Sequence, residues 1–318
     1  MHLIYHLKEI FKETLGIVTP LFKILVPMII LIKVLQETGL VSILGDILSP
    51  VMFLTGLPGE LGLAWASALA TNLYGGVIVF ATLAPDMQLS AAQATVMASM
   101  MVMAHGFPVE LQIAKMAGTR LRAMFLFRFG AALVYGILLN LFYKSTGLLQ
   151  EPVRIFYTPK NVDSGILSWA YGEVVKLIYI AVIILALVAL MRLLKKIGLI
   201  NLINKACKPL LKVMGIGEQA AYVTMVSFTL GLTYGGGLII KEAKSGSMSH
   251  RDVFFSLGFM GICHSMIEDT LILLAIGAHI SGILIFRTIF SVLLVALLVR
   301  LTASVPEKIF YRFMFVNR

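Results

Sequence analysis

The sequence predicts an all-α integral membrane protein built from two inverted repeats, each with three spans, an interfacial helix and a re-entrant hairpin. Composition, internal duplication and a reversal of charge between the two copies predict it. Hydrophobic residues make up 59% and charged residues 13% of 318 positions, where a soluble domain carries about 25% charged. The chain also matches itself at an offset of 159. Gly39 falls on Gly198, Pro50 on Pro209, Gly56 on Gly215, His105 on His264, Glu110 on Asp269, Gly118 on Gly277 and Arg128 on Arg287. A one-residue slip in between puts Tyr74-Gly75-Gly76 on Tyr234-Gly235-Gly236. Glycine and proline constrain the backbone, so matches there indicate one chain path used twice, as membrane transporters often do.

The copies carry opposite charge bias. Residues 37–60 hold Glu37, Asp46 and Glu60 with no Lys or Arg, whereas 196–219 hold Lys196, Lys205, Lys208 and Lys212 against Glu218. Residues 81–92 hold only Asp86, and 241–251 hold Lys241, Lys244 and Arg251 with Glu242. In the third pair of loops, 115–128 carry Lys115, Arg120, Arg122 and Arg128, while 274–287 carry Arg287 alone. Because Lys and Arg collect on the cytoplasmic side, each repeat must cross an odd number of times. The segment between Pro58 and Pro85 must then enter and leave on one side. If 60–84 crossed fully, eight crossings and parallel repeats would result.

The elements follow in order. Residues 1–16 place Leu3, His6, Leu7, Ile10, Phe11 and Leu15 on one stripe, the pattern of an interfacial helix. Repeat 1 occupies 17–145: a span at 17–36, a short amphipathic helix at 40–55, and a hairpin from about 60 to 84. A broken span at 90–104 follows, then a final span at 123–143. The hairpin should turn near Asn72-Leu73-Tyr74-Gly75-Gly76, since glycine tolerates positive φ and close backbone approach. Irregular backbone at membrane depth needs protein or a wet cavity around it. A polar external linker, 146–171, leads to repeat 2 over 172–304. Its elements are 174–194, 199–214, a hairpin over 218–244 turning near Thr233-Tyr234-Gly235-Gly236-Gly237, 253–277 and 283–302. The tail 305–318 is cytoplasmic by its Lys308, Arg312 and Arg318, as is the N-terminus by Lys8, Lys12 and Lys23. The location expected is the cell's inner (plasma) membrane.

Five ionisable residues lie in otherwise apolar segments: His105, Glu110, His264, Glu268 and Asp269. An ionisable group at the bilayer centre costs at least about 2.5 kcal/mol, so these are the candidate solute or ion ligands. Gly106 and Pro108 break the helix between His105 and Glu110, and proline suits the start of a new half-helix, whose N-terminal dipole favours a polar or anionic group. His264 and Glu268, four apart, would share a helical face. Both broken spans would meet around one cavity lined also by the hairpin tips Asn72, Tyr74, Thr233 and Tyr234. The competing reading pairs Glu268 with His264 and Glu110 with Lys115 as packing groups. Either histidine could also carry a proton. Arg128 and Arg287 read as interface anchors, and the methionines at 97, 100, 101 and 103 as packing or lipid-facing surface.

The formal charge of +10 is spread over span ends rather than gathered for nucleic acid. Two cysteines without a CxxC indicate neither a disulfide framework nor a thiolate metal site, and no cofactor is expected. The sequence has no GxxxxGK[ST], HExxH or GxSxG, so a carrier is expected rather than an ATPase or hydrolase.

The order of elements is similar to that of the concentrative nucleoside transporters. The stretches Asn72-Leu73-Tyr74-Gly75-Gly76, Ala104-His105-Gly106-Phe107-Pro108-Val109-Glu110, Thr233-Tyr234-Gly235-Gly236-Gly237 and Cys263-His264-Ser265-Met266-Ile267-Glu268-Asp269-Thr270 resemble the nucleoside-recognition, or Gate, membrane proteins. That group includes the Gate segments of ferrous-iron permeases and the spore-maturation membrane proteins. The resemblance implies a secondary transporter of a small polar solute, nucleoside-like and proton- or sodium-coupled. It also implies a homo-oligomer with the first span of each repeat as scaffold. A divalent-cation carrier and a non-transporting assembly factor of the spore-maturation type are the alternatives. The nucleoside transporters' hairpin Gln-Thr-Glu motif has no counterpart here, so no base or sugar contacts carry over.

Overall fold

The computed structural model describes residues 2–155, 165–199, 202, 205, 209, 213–230 and 232–316. The described residues are helical almost throughout, with only the isolated bridges Ser90–Pro152 and Thr119–Phe315. In chain order the helices are α1 (His2–Glu37), α2 (Leu40–Leu54), α3 (Leu61–Ala70), α4 (Leu73–Leu83), α5 (Ala91–Met103), α6 (Phe107–Met116) and α7 (Leu121–Thr146). Then come α8 (Ile166–Lys196), α9 (Glu218–Leu230), α10 (Leu232–Ser245), α11 (His250–Ile262), α12 (Glu268–Ala275), α13 (Arg287–Ala303) and α14 (Glu307–Met314). A π-helical turn, Ser281–Phe286, leads into α13.

Among the described residues, five helical stretches are long and apolar enough to cross a membrane: Lys8–Glu37, Ala91–Met116, Leu121–Thr146, Ile166–Leu194 and Ser281–Ala303. The shortest has 23 residues, about 35 Å of helix against a hydrocarbon core of about 30 Å. The sixth expected span, 253–277, is divided into α11 and α12, of 13 and 8 residues. The amphipathic opening has no boundary of its own, because it runs into the first span as the single helix α1. Most of the expected helix at 199–214 lies outside the described residues.

Glycines matched at the offset of 159 share their backbone angles. Gly39 and Gly198 have φ of 70° and 75°, Gly56 and Gly215 of 71° and 75°, and Gly118 and Gly277 of 98° and 83°. Each matched pair ends a helix in the left-handed region where a Cβ is penalised.

Two packed units result. α1 and α8 lie together through Val18, Leu21, Leu25, Ile29, Ile184 and Val188, with Ile78 of α4 against them. At one end the Arg192 guanidinium Nε donates to Glu13 Oε2 at 2.7 Å. All the other helices build a second, larger core in which residues 94–107 and 253–264 are buried without interruption. A helix apolar on every side belongs inside such a bundle, so Met97, Met100, Met101 and Met103 are packing residues.

The paired short helices behave differently from the expectation in one respect. In α3 and α4 the break falls at Thr71–Asn72, at the leading edge of the expected turn, and Gly75 and Gly76 lie inside α4. Asn72 caps α4 by accepting from Gly75 N–H at 3.0 Å, a standard N-terminal device. Gly76 serves close approach instead of an unusual φ: a Cβ there would stand 2.6 Å from Ala68 Cβ and 2.8 Å from Met101 Sδ. Between α9 and α10 only residue 231 intervenes, and Thr233–Gly237 are helical. At 10 and 11 residues, α3 and α4 are each about 15 Å long, too short to cross alone.

Candidate functional site

Both interrupted spans break at the histidine. α5 ends at Met103, Ala104 is extended, and Gly106 takes φ 62° as the cap of α6. Pro108 lies in the first turn of α6, and Glu110 follows in the same turn. In the second copy α11 ends at Ile262, and Ser265 takes φ 47° where repeat 1 has glycine. Glu268 and Asp269 form the first turn of α12. The break separates His264 from Glu268, so the shared helical face expected of them does not exist. The cause is the Ser265 turn, which no glycine or proline announces.

Two hydrogen bonds recur at matched positions, and a third recurs one residue out of register. His105 Nδ1 lies 3.1 Å from Met101 O, and His264 Nδ1 lies 2.7 Å from Met260 O. Arg128 Nη2 donates to His105 O at 3.2 Å, and Arg287 Nη2 to His264 O at 3.3 Å. Gly106 N–H donates to Ala68 O of α3 at 2.9 Å, and Met266 N–H to Phe228 O of α9 at 3.3 Å. Thus each break is held by its own histidine, by an arginine from the following helix and by a short helix from its own repeat. A carbonyl can only accept, so each Nδ1 carries a hydrogen, and in the neutral ring each Nε2 presents a lone pair towards Glu110.

The two Nε2 atoms converge on one carboxylate. Glu110 Oε1 lies 3.3 Å from His105 Nε2 and 3.8 Å from His264 Nε2, and the imidazole centroids are 5.2 Å apart. The other oxygen, Oε2, is 2.5 Å from Arg128 Nη1. Ligand atoms of His105, His264 and Asp269 lie within 4.8 Å of one another. All three residues are at most 7% exposed. Beside them Tyr74 OH donates to Glu268 Oε1 at 2.9 Å, which ties α4 to the break of the other repeat.

Of the predicted residues, His105, Glu110, His264 and Asp269 form one cluster, and Glu268 and Tyr74 form the adjoining pair. Asn72 is a helix cap. The side chains of Thr233 and Tyr234 lie outside the described residues. Glu110 pairs with Arg128, not with Lys115, because Lys115 is on the exposed side of α6. Glu268 takes Tyr74 rather than His264.

The arginines are the residues misjudged from sequence. Arg128 and Arg287 are 1% and 0% exposed, so they are buried clamps on the breaks and not interface anchors. Room for Arg128 comes from Gly261 of α11, where a Cβ would stand 2.6 Å from Arg128 Cδ. Their shared offset with the histidines was the available signal. Polar demand remains around the second break: Arg287 Nε and Nη1, Asp269 Oδ2 and Thr270 Oγ1 have no hydrogen-bond partner among the described residues. A cavity of about 990 Å³ lies elsewhere, lined by Pro85, Gln93, Asn140, Tyr143 and Arg154.

A bundle of apolar spans enclosing a polar centre at two interrupted helices defines this chain as a helical membrane protein. Residues 18–120 match the family model described as Gate, nucleoside recognition, a stretch that includes Tyr74, His105 and Glu110. The chain is similar to the uncharacterized membrane protein YvoD of Bacillus subtilis (strain 168), 27% identical over 275 residues, which cover 86% of this chain and 87% of that protein. No solved structure matches.

Proposed function

We propose that this protein is a secondary transporter of a small polar solute, bound at the two breaks and released by alternating access, and that it is a carrier rather than an enzyme. The observation that carries the reading is the convergence of His105, Glu110, His264 and Asp269 from two equivalent interrupted helices. Broken helices that aim their N-termini at a common centre are how transporter folds hold polar cargo in lipid. Strain and burial of this kind are expensive, which favours a working site over a packing device.

In this reading the repeats are inverted, α3–α4 and α9–α10 are re-entrant, and both termini face the cytoplasm across the plasma membrane. The breaks would be opened by rocking the larger core against the α1–α8 pair. The outward faces of that pair, with Ile30, Leu31, Val34, Val174, Ile178 and Val182 all exposed, would serve as scaffold and homo-oligomer contact. Protons or sodium would drive uptake. The family description directs the first solute panel to nucleosides, and the His-carboxylate chemistry directs the second to divalent cations.

The test is uptake into proteoliposomes of the purified full chain against both panels. Accumulation of one solute class, lost in Glu110→Gln, is expected. No uptake from either panel, under an imposed proton or sodium gradient, would overturn the transport reading and favour an assembly role.

A further inference from the structure

We propose that His105 Nε2, His264 Nε2, an Asp269 oxygen and Glu110 Oε1 bind one divalent first-row transition-metal cation, with zinc-like, four-coordinate geometry. That this ion is the transported solute rests on the transport reading above; that the site binds it does not.

The argument starts from a mismatch of donors. Both histidines spend Nδ1–H on a backbone carbonyl, so their Nε2 atoms offer lone pairs. Glu110 Oε1, facing both of them, is also an acceptor. Three lone-pair atoms pointed together in a buried space repel unless a positive centre lies among them. Arg128 does not supply it, because its Nη1 is engaged with the other oxygen, Oε2.

Distance decides between a proton and a metal. A shared proton draws heavy atoms to about 2.7–2.9 Å. A tetrahedral ion with bonds of about 2.0–2.2 Å separates its ligands by about 3.3–3.6 Å. The observed separations are 3.3 and 3.8 Å; both exceed a shared-proton distance, the first matches the tetrahedral range, and the second needs His264 to close by a few tenths of an ångström. The third ligand is independent evidence: Asp269 comes within 4.8 Å of both histidines, from α12 of the other copy, and its Oδ2 is buried without a hydrogen-bond partner.

The donor set fixes the class of ion. Two imidazoles and two carboxylates suit zinc, iron(II), cobalt(II), nickel(II) or manganese(II), whereas calcium and magnesium prefer all-oxygen shells. Holding the second ring nitrogen on a carbonyl is the usual outer support of a metal-ligating histidine, and it is present twice here. Donor atoms this close leave space for one ion and none for a nucleoside in this conformation.

The experiment uses the full chain purified in detergent and stripped of metal, titrated with Zn²⁺ and with Co²⁺. One ion per chain is expected, with the intense visible absorption of four-coordinate Co²⁺. His105→Ala and His264→Ala should each weaken binding at least 100-fold, while His250→Ala, at an exposed histidine, should leave it within about twofold. Should either site variant fail to fold, X-ray absorption on the wild-type zinc form gives the same answer, with two imidazole nitrogens and oxygens near 2.0–2.2 Å. No stoichiometric binding, an unchanged affinity in both histidine variants, or a hydrated shell without imidazole would overturn the site. Binding without metal flux in proteoliposomes would retain the site and refute the ion as cargo. Nucleoside uptake by a chain that binds no metal would do the reverse.

Discussion

Replacing Arg128 with methionine tests the central geometry most directly. The side chain is 1% exposed, its Nη1 lies 2.5 Å from Glu110 Oε2, and its Nη2 reaches His105 O at 3.2 Å. Methionine fills much of the stem volume against Gly261 but leaves Glu110 as an uncompensated buried charge. Breaking one side of a buried ion pair costs about 3–5 kcal/mol, and the released carbonyl adds about 1 kcal/mol. Methionine's apolar burial offsets part of this, so a loss of about 4 kcal/mol is expected. Adding Glu110→Gln removes the stranded charge, and the double variant should come back to within about 2 kcal/mol of the parent, since coupled neighbours are not additive. Denaturant unfolding in detergent, followed by tryptophan fluorescence, measures both. A single-variant loss below about 1 kcal/mol, or a double variant as unstable as the sum of its parts, would refute the buried clamp.

Gly106→Ala combines an unfavourable φ of 62° with a Cβ only 2.9 Å from Glu110 Oε1. It should cost about 1–2 kcal/mol and cut uptake more than tenfold, and normal uptake would separate the carboxylate from function. Tyr74→Phe deletes the 2.9 Å bond to Glu268, worth about 1.5–3 kcal/mol for an ionised acceptor. Amide exchange should rise locally over residues 73–83, and unchanged exchange there would show that the contact does not hold α4. Asp46→Cys and Lys205→Cys, in a Cys207→Ser/Cys263→Ser background, should react with a membrane-impermeant thiol reagent from opposite sides, whereas labelling from one side would refute inverted repeats.

Much of this architecture was legible because its signals are local. Lipid-length apolar runs follow from composition, and left-handed positions follow from glycine, so the paired residues 39 and 198, 56 and 215, and 118 and 277 agree in φ. The first break was legible from Gly106 and Pro108. The second was expected only by its match to the first, and its exact place was missed, because a serine occupies the left-handed position at Ser265 and His264 and Glu268 read as one helical face. The hairpin glycines misled in place but not in kind, since close packing and positive φ both call for a missing Cβ.

By itself the sequence determined that the chain is apolar enough to lie in a membrane, that glycines, histidines and arginines recur at an offset of 159, and that histidines and carboxylates interrupt its apolar segments. Only the tertiary structure decided which partners meet. Glu110 chose Arg128 over Lys115, Glu268 chose Tyr74 over His264, and the two arginines went to the buried breaks instead of the interface. Periodicity describes one helix at a time, while a buried charge is satisfied by whatever packing brings within about 3 Å, and that depends on how separate helices cross.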